Sequence, residues 1–191
     1  MTKLIIGLGN PGKEYENTRH NVGFMFADEL RARLDAAPFQ EQKKFGAMIS
    51  EGVLPNGEKI ILAKPLTFMN SSGEAVSKLL NFYKCPVENL LIAYDDVDLP
   101  IGSGRFRPSG GPGTHNGMRS IIQSLGSENF PRIRFGIESR GVSAPKQQDI
   151  TSFVLTPFSK EEKEKLHSAF QKGLDALFES TPLSAPFSWE G

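Results

Sequence analysis

Leu4-Ile5-Ile6-Gly7-Leu8-Gly9, followed by the loop Asn10-Pro11-Gly12-Lys13-Glu14-Tyr15-Glu16-Asn17-Thr18-Arg19-His20-Asn21, is the stretch from which the architecture can be read. A short, β-branched apolar run closed by glycines is the pattern of a buried strand that ends in a loop. The loop is polar and non-helical, and it carries Asn10, Tyr15, Arg19, His20 and Asn21 before a new apolar periodicity starts at Val22. Chemically active side chains often stand in this place, on a loop at the carboxyl end of a core strand.

Outward from that loop, strand and helix signals alternate. Val22, Phe26, Leu30 and Leu34 recur at helical spacing, and Pro38 closes the helix. Phe45, Ala47 and Ile49 alternate as a half-buried strand, Pro55-Asn56-Gly57 supplies hairpin chemistry, and Ile60 to Ala63 is the return strand. Thr67 to Gly73 offers capping hydroxyls ahead of a second helix through Ala75, Val76, Leu79, Leu80 and Tyr83. Leu90 to Tyr94 reads as a further strand running into the acidic segment Asp95-Asp96-Val97-Asp98. Arg105-Phe106-Arg107 is a short alternating strand, and a glycine-rich loop from Ser109 leads to a helix opened by His115-Asn116-Gly117. Arg132 to Ile137 is one more strand, and Ser139 to Asp149 an exposed, mobile loop. Ser159-Lys160-Glu161-Glu162 matches a capping box before an amphipathic helix, and an irregular tail is expected over 180–191. The expectation is one α/β domain over 1–191, with a twisted, mixed, mostly parallel sheet flanked by helices.

Composition narrows the function classes. At 191 residues one domain with a sizeable core is expected. A single cysteine, Cys85, excludes an intrachain disulfide and a cysteine-cluster metal site. No apolar run approaches the roughly 20 residues of a membrane span, and Met1-Thr2-Lys3 leaves no room for a signal peptide, so a cytoplasmic protein without membrane contact is expected. Formal net charge is zero, but it is unevenly distributed. Arg105, Arg107, Arg119, Arg132, Arg134, Arg140 and Lys146 stand against only Glu128 and Glu138 in the same stretch. Such segregation suits a phosphate-contacting patch, although clustering in sequence need not be clustering on a surface.

Several familiar chemistries fail in context. Gly7-x-Gly9-x-x-Gly12 follows a strand as a dinucleotide fingerprint does, but Pro11 and the polar loop mean that no helix N-terminus starts at the third glycine to hold a pyrophosphate. Tight turning and close packing explain these glycines better. His20, His115 and His167 lack metal-ligand spacing. Cys85-Pro86 looks structural, and Gly102-Ser103-Gly104 is an incomplete nucleophile elbow. What remains is a set of polar residues at element ends: Asn10, His20, Asn70, Asp95 and Asn116. A carboxylate can hold an imidazole tautomer, the imidazole can take a proton from water, and amides can donate to an oxyanion. Caps and loops also favour asparagine, so this pattern by itself leaves a structural role open.

Tyr15-x-x-Thr18-Arg19-His20-Asn21-x-Gly23 and Gly111-x-x-x-His115-Asn116-Gly117-Met118-Arg119-Ser120-Ile121 resemble the two signature motifs of the bacterial-type peptidyl-tRNA hydrolase family. Gly7 to Gly12, Lys64-Pro65-Leu66-Thr67-Phe68-Met69-Asn70-x-Ser72-Gly73, and Asp95 to Pro100 with Gly102 are similar to three more of its blocks, in order from Leu4 to about Phe158. The resemblance implies a monomeric enzyme, without cofactor or metal, that hydrolyses the ester between a peptide and the 3′ ribose of tRNA. It implies His20 as the base that activates water, Asp95 as its orienting partner, and Asn10 and Asn70 flanking the scissile carbonyl and peptide backbone. Asn116 would position water or substrate. Tyr15, Phe68 and Met69 would border the cleft for the terminal adenosine and peptide, and Arg107 and Arg134, with Arg105 nearby, would clamp a tRNA phosphate. Three positions depart from the family pattern: in the glycine-rich loop Pro112, which should stiffen it, and Thr114, which narrows its backbone freedom, and beside Asp95 Tyr94, where a histidine is common. The alternative is a non-catalytic RNA-binding relative with the same fold.

Overall fold

The computed structural model describes residues 2–140, 149–179 and 186–191. The opening apolar run forms strand β1, Lys3–Gly7, near the middle of an eight-stranded mixed sheet. Its pleat sorts the core into two layers. Leu4 and Ile6 face one apolar cluster, and Ile5 faces the other with Val22, Phe26 and Leu30. Burial on both faces is why the run is continuously apolar and not alternating.

The other strands are β2 (Gln40–Gln42), β3 (Ala47–Val53), β4 (Lys59–Pro65), β5 (Leu90–Pro100), β6 (Gly104–Arg107), β7 (Arg132–Glu138) and β8 (Phe187–Trp189). They run in the order β2-β3-β4-β1-β5-β7-β6-β8. β4, β1, β5 and β7 are mutually parallel, and antiparallel strands flank them on both sides. Helices α1 (Val22–Arg33) and α5 (Lys160–Glu179) cover one face, whereas α2 (Ser72–Tyr83) and α3 (Asn116–Leu125) cover the other. A five-residue helix, α4 (Ile150–Val154), precedes α5. The expected hairpin turn is present: Gly57 has φ 83°, and Asn56 Oδ1 accepts from Glu58 N at 3.0 Å. The capping box is reciprocal, with Glu162 N donating to Ser159 Oγ and Ser159 N to Glu162 Oε2.

The first glycines serve close packing. A Cβ on Gly23 would stand 2.3 Å from Ala93 O, and one on Gly7 would stand 2.0 Å from Gly23 O. The start of α1 therefore presses directly on β1 and β5, which brings the turn just before it, with His20, over the strand ends. Helix α1 begins at Val22 and not at Gly12, so the glycine motif holds no pyrophosphate.

Four elements depart from the sequence expectation, the first being β2, a strand where none was expected. β5 continues through the acidic segment to Pro100 instead of ending at Tyr94. α4 stands where no helix was expected, capped by Asp149 Oδ1 accepting from Thr151 N at 3.0 Å. The tail expected to be irregular ends in β8, which pairs with β6. The cause is aromatic: Phe187 stacks on Phe106 with centroids 4.9 Å apart, and Trp189 meets Phe135 at 5.9 Å and covers Gly104, where a Cβ would lie 2.1 Å from the indole. Most of the loop expected over Ser139 to Asp149, Lys146 included, and the tail from 180 to 185 lie outside the described residues. No described helix is long and apolar enough to cross a membrane.

Replacing Trp189 by Ala should remove half-buried contact with Phe135 and Gly104. A loss of about 2 kcal/mol is expected, read as a lower urea midpoint with an unchanged denaturant slope.

Candidate active site

Parallel strands deliver their following loops to one end of the sheet, and four segments meet there. Asn10 follows β1, and the 3-10 turn Arg19–Asn21 carries His20. The 3-10 turn Met69–Ser71 follows β4, and Asp95 lies on β5 two residues beyond Ala93, which pairs with Gly7. The fifth participant, His115, is the N-cap of α3.

Asp95 is buried and accepts from two imidazoles. His20 Nδ1 lies 2.9 Å from Oδ1 and 3.1 Å from Oδ2, and His115 Nε2 lies 3.0 Å from Oδ1. The tautomers follow from the network. His115 Nδ1 accepts from Met118 N at 3.2 Å, so its proton must reside on Nε2, where it donates to Asp95. His20 likewise donates through Nδ1 to the carboxylate, which leaves the lone pair of Nε2 as the group available to take a proton. Desolvation alone would raise the Asp95 pKa, but the charges and hydrogen bonds of His20 and His115 outweigh it and hold the carboxyl well below the usual range. Burial alone would lower the His20 pKa, but the charge of Asp95 and its hydrogen bond reverse this and raise it above the ordinary value.

His20, Asp95 and His115 are the one group among the described residues close enough together to hold a metal, within 4.8 Å of one another. Their ligand atoms are already engaged with each other and with the α3 cap. A metal on them would break the cap or leave two imidazole nitrogens without their protons, so the donor set fits a hydrogen-bonded relay better than a coordination sphere.

Arg19 fixes the turn that carries His20. Its guanidinium donates to Thr156 Oγ1 (2.7 Å) and Pro157 O (2.8 Å), pairs with Glu162 (2.6 Å), and lies over the rings of Phe153 and Phe158. Asn21 exchanges two hydrogen bonds with the Asn10 backbone, at 2.9 and 3.0 Å, so the two loops move as one. Asn10 Oδ1 then accepts from Met69 N at 2.9 Å, which aims its NH2 group as the donor end of the amide.

These groups line a cleft of about 550 Å³. His20, Asp95, His115 and Tyr94 form its floor, with burial pushing the Tyr94 phenol up to about 12 against the opposing pull of Arg134 and Arg132. Phe68, Met69 and Asn70 form one wall, the loop from Gly111 to Asn116 a second, and Val97, Ile150, Thr151, Val154 and Leu155 a third. Phe68 holds φ 56° and ψ 161°, a region nearly reserved for glycine, and its ring is 55% exposed. Strained backbone of this kind concentrates at ligand sites. Asn116 Oδ1 accepts from Arg119, and Pro112 closes a turn by accepting from His115 N at 3.2 Å.

Of the residues proposed from sequence, Asn10, His20, Phe68, Met69, Asn70, Asp95, Asn116 and Arg134 face this cleft. Tyr15 does not line it; the ring meets Phe68 edge-on, with centroids 6.5 Å apart, and so braces the wall from outside. Arg105 and Arg107 stand beside the cleft. Arg105 is directly opposite Arg134 across β6 and β7, Arg107 is opposite Arg132, and all four side chains share one face of the sheet. Arg132 departs from the surface patch: it is buried and donates to the carbonyls of Glu128, Phe130, Gly110 and Gly111, holding the glycine-rich loop. Arg140 is taken up by Glu138. Three half-buried guanidinium groups remain together, and Asp96 lies 3.0 Å from Arg134. Burial, then the charges of Arg105 and Arg134, lower the Arg107 pKa. Sequence alone does not pair His115 with Asp95; its signals there are a helix-start position, where a side chain can cap, and its place in the second signature motif.

Fold and site together define a hydrolase of the kind that activates water with a carboxylate-backed imidazole. Residues 4–183 match the family described as peptidyl-tRNA hydrolase. The peptidyl-tRNA hydrolase of Listeria monocytogenes is 50% identical over 182 residues, 94% of each chain. That of a Thermoanaerobacter species is 50% identical over 176 residues, 92% of this chain and 91% of the relative. The crystal structure of peptidyl-tRNA hydrolase from Acinetobacter baumannii superposes with a TM-score of 0.83 at 34% identity, covering 93% of this chain and 89% of that one. The chain belongs to the peptidyl-tRNA hydrolase family.

An NMR titration of the His20 imidazole should give a midpoint above the ordinary histidine value of about 6.5. In Asp95→Asn the midpoint should fall below that value, because the attraction is lost and the burial stays.

Proposed function

We infer that this chain hydrolyses the ester joining a peptide to the 3′ ribose of tRNA and so returns tRNA from prematurely released peptidyl-tRNA. The observation that carries the reading is the His20–Asp95 pair at 2.9 Å in a cleft bordered by Asn10, Asn70 and Asn116. His20 Nε2 takes a proton from water as the water attacks the ester carbonyl. Asp95 holds Nδ1–H and stabilises the imidazolium that forms, and the proton then passes to the leaving ribose oxygen. The Asn10 amide, held by Met69 N, and Asn70 on the adjacent turn donate to the carbonyl oxygen and to the peptide backbone. Asn116 positions water or substrate. An aminoacyl-type ester is already activated, so general-base help and carbonyl polarisation suffice.

Asparagine amides that pair with a peptide bond also discriminate, since the free α-amino group of an ordinary aminoacyl-tRNA cannot replace that bond. Arg105, Arg107 and Arg134 form the phosphate clamp. Their mutual repulsion, which Asp96 offsets at Arg134, is what an arriving phosphate would relieve. Tyr15 acts on the substrate through Phe68. The resemblance supports a monomer acting in the cytoplasm, where the substrate forms. No observation favours a non-catalytic RNA-binding role.

Wild-type protein should release tRNA from an N-blocked aminoacyl-tRNA and leave the unblocked form intact, and His20→Ala should lower kcat/KM by about a thousandfold. Asn10→Ala or Asn70→Ala should narrow the blocked-to-unblocked ratio; an unchanged ratio in both would refute the amide role. The rate should rise with pH as His20 loses its proton, with a midpoint above the ordinary histidine value.

Binding of tRNA should weaken steeply with salt. Reversing charge at Arg107 and Arg134 together should reduce the slope of log K against log salt by about 2, and a slope that does not change would remove the clamp.

A further inference from the structure

Large apolar side chains left in water are unusual when they gather in one place. The described residues with this property are Val53, Phe68, Phe82, Ile150 and Leu155, and three of these five stand on the cleft. They come from two different segments of its lining. Phe68, aromatic, lies beside Met69 on the turn after β4, whereas Ile150 (44% exposed) and Leu155 (40% exposed) join Val154 and the half-buried Val97 on the α4 side.

The α4 wall is held in fixed relation to the base. α4 buries Phe153, whose ring lies between the guanidinium groups of Arg19, at 4.6 Å, and Arg140, at 4.3 Å. Arg19 also donates to Thr156 and Pro157 just after α4, and it is the residue immediately before His20. The anchoring of α4 uses its inward residues and leaves Ile150 and Leu155 presented to the cleft.

We propose that Ile150, Val154, Leu155 and Val97 form a pocket for the side chain of the esterified amino acid, favouring aliphatic over acidic residues. This rests on the hydrolase reading given above. A nucleobase is complemented by an aromatic face on which it can stack, which Phe68 offers and the α4 wall lacks. Branched aliphatic groups instead complement an alkyl side chain. The acidic residue Asp98, which also lines the cleft, opposes a carboxylate there by charge. The hydrolysis rate would then depend on which residue the ribosome added last.

The test uses one tRNA, acylated chemically with N-acetyl-leucine, N-acetyl-alanine or N-acetyl-aspartate, so that only the side chain varies. Wild-type kcat/KM for the leucyl ester should exceed that for the aspartyl ester by about tenfold. Leu155→Ser with Ile150→Ser should compress this ratio toward one, and Leu155→Lys should raise the aspartyl rate relative to the leucyl rate. Both positions are substantially exposed, so these chains should fold, and circular dichroism melting checks it. Equal wild-type rates on all three esters would overturn the pocket while leaving the hydrolase reading intact. A leucine preference untouched by the α4 substitutions would also overturn it. So would an equal fall on all three esters, which would place the nucleoside at this wall. Failure to cleave any of them would instead refute the hydrolase reading.

Discussion

A carboxylate with almost no access to water has to be compensated on every side, and in this protein that carboxylate is Asp95. An isolated buried charge is costly, and a half-satisfied one is worse than none. Here two imidazole N–H groups satisfy it, one from the turn before α1 and one from the cap of α3. Each of those imidazoles is in turn constrained from behind. His115 accepts a backbone N–H and cannot take a second proton without giving up the helix cap. His20 is carried by a turn that Arg19 fastens to the chain between α4 and α5. The consequence is an asymmetric relay: two histidines share one carboxylate, but only His20 has a nitrogen left for chemistry.

The close approach of backbone to backbone makes this geometry possible. Gly7 and Gly23 let the start of α1 sit against β1 and β5 at a distance no side chain would permit. Gly117 in α3 instead makes room for side chains, since a Cβ there would lie 2.5 Å from Met69 Sδ and 3.1 Å from the His115 ring. The catalytic groups thus come from segments far apart in sequence, yet each stands on the end of a rigid element pressed onto the sheet. Precision at the site is inherited from this packing.

Arginines in one short stretch take two different placements. Arg105, Arg107 and Arg134 crowd together at the sheet surface beside the cleft, whereas Arg132, two residues from Arg134 and on the same face, turns inward to hold loop carbonyls. A guanidinium suits the inward placement, because its five donors can satisfy several carbonyls at once. Which arginine turns inward is decided by whether carbonyl groups converge on it.

The sequence by itself determined the elements whose cause is local. Apolar periodicity, Asn-Gly turn chemistry and the Ser159–Glu162 capping box each act over a few residues, and all appear where expected. It also placed Asn10, His20, Asn70 and Asn116 at element ends, since chemistry at the carboxyl edge of a parallel sheet leaves polar residues just after apolar runs, whereas Asp95, expected just past a strand, lies within β5. Tertiary structure decided what depends on distant partners. β8 exists because Phe187 and Trp189 find Phe106, Phe135 and the open edge of β6. α4 is held by arginines from other segments, and Tyr15 stands behind Phe68 and not in the cleft. His115 becomes the second partner of Asp95 only when α3 packs against the sheet. A pairing across the fold carries no periodicity along the chain, so no local pattern could announce it.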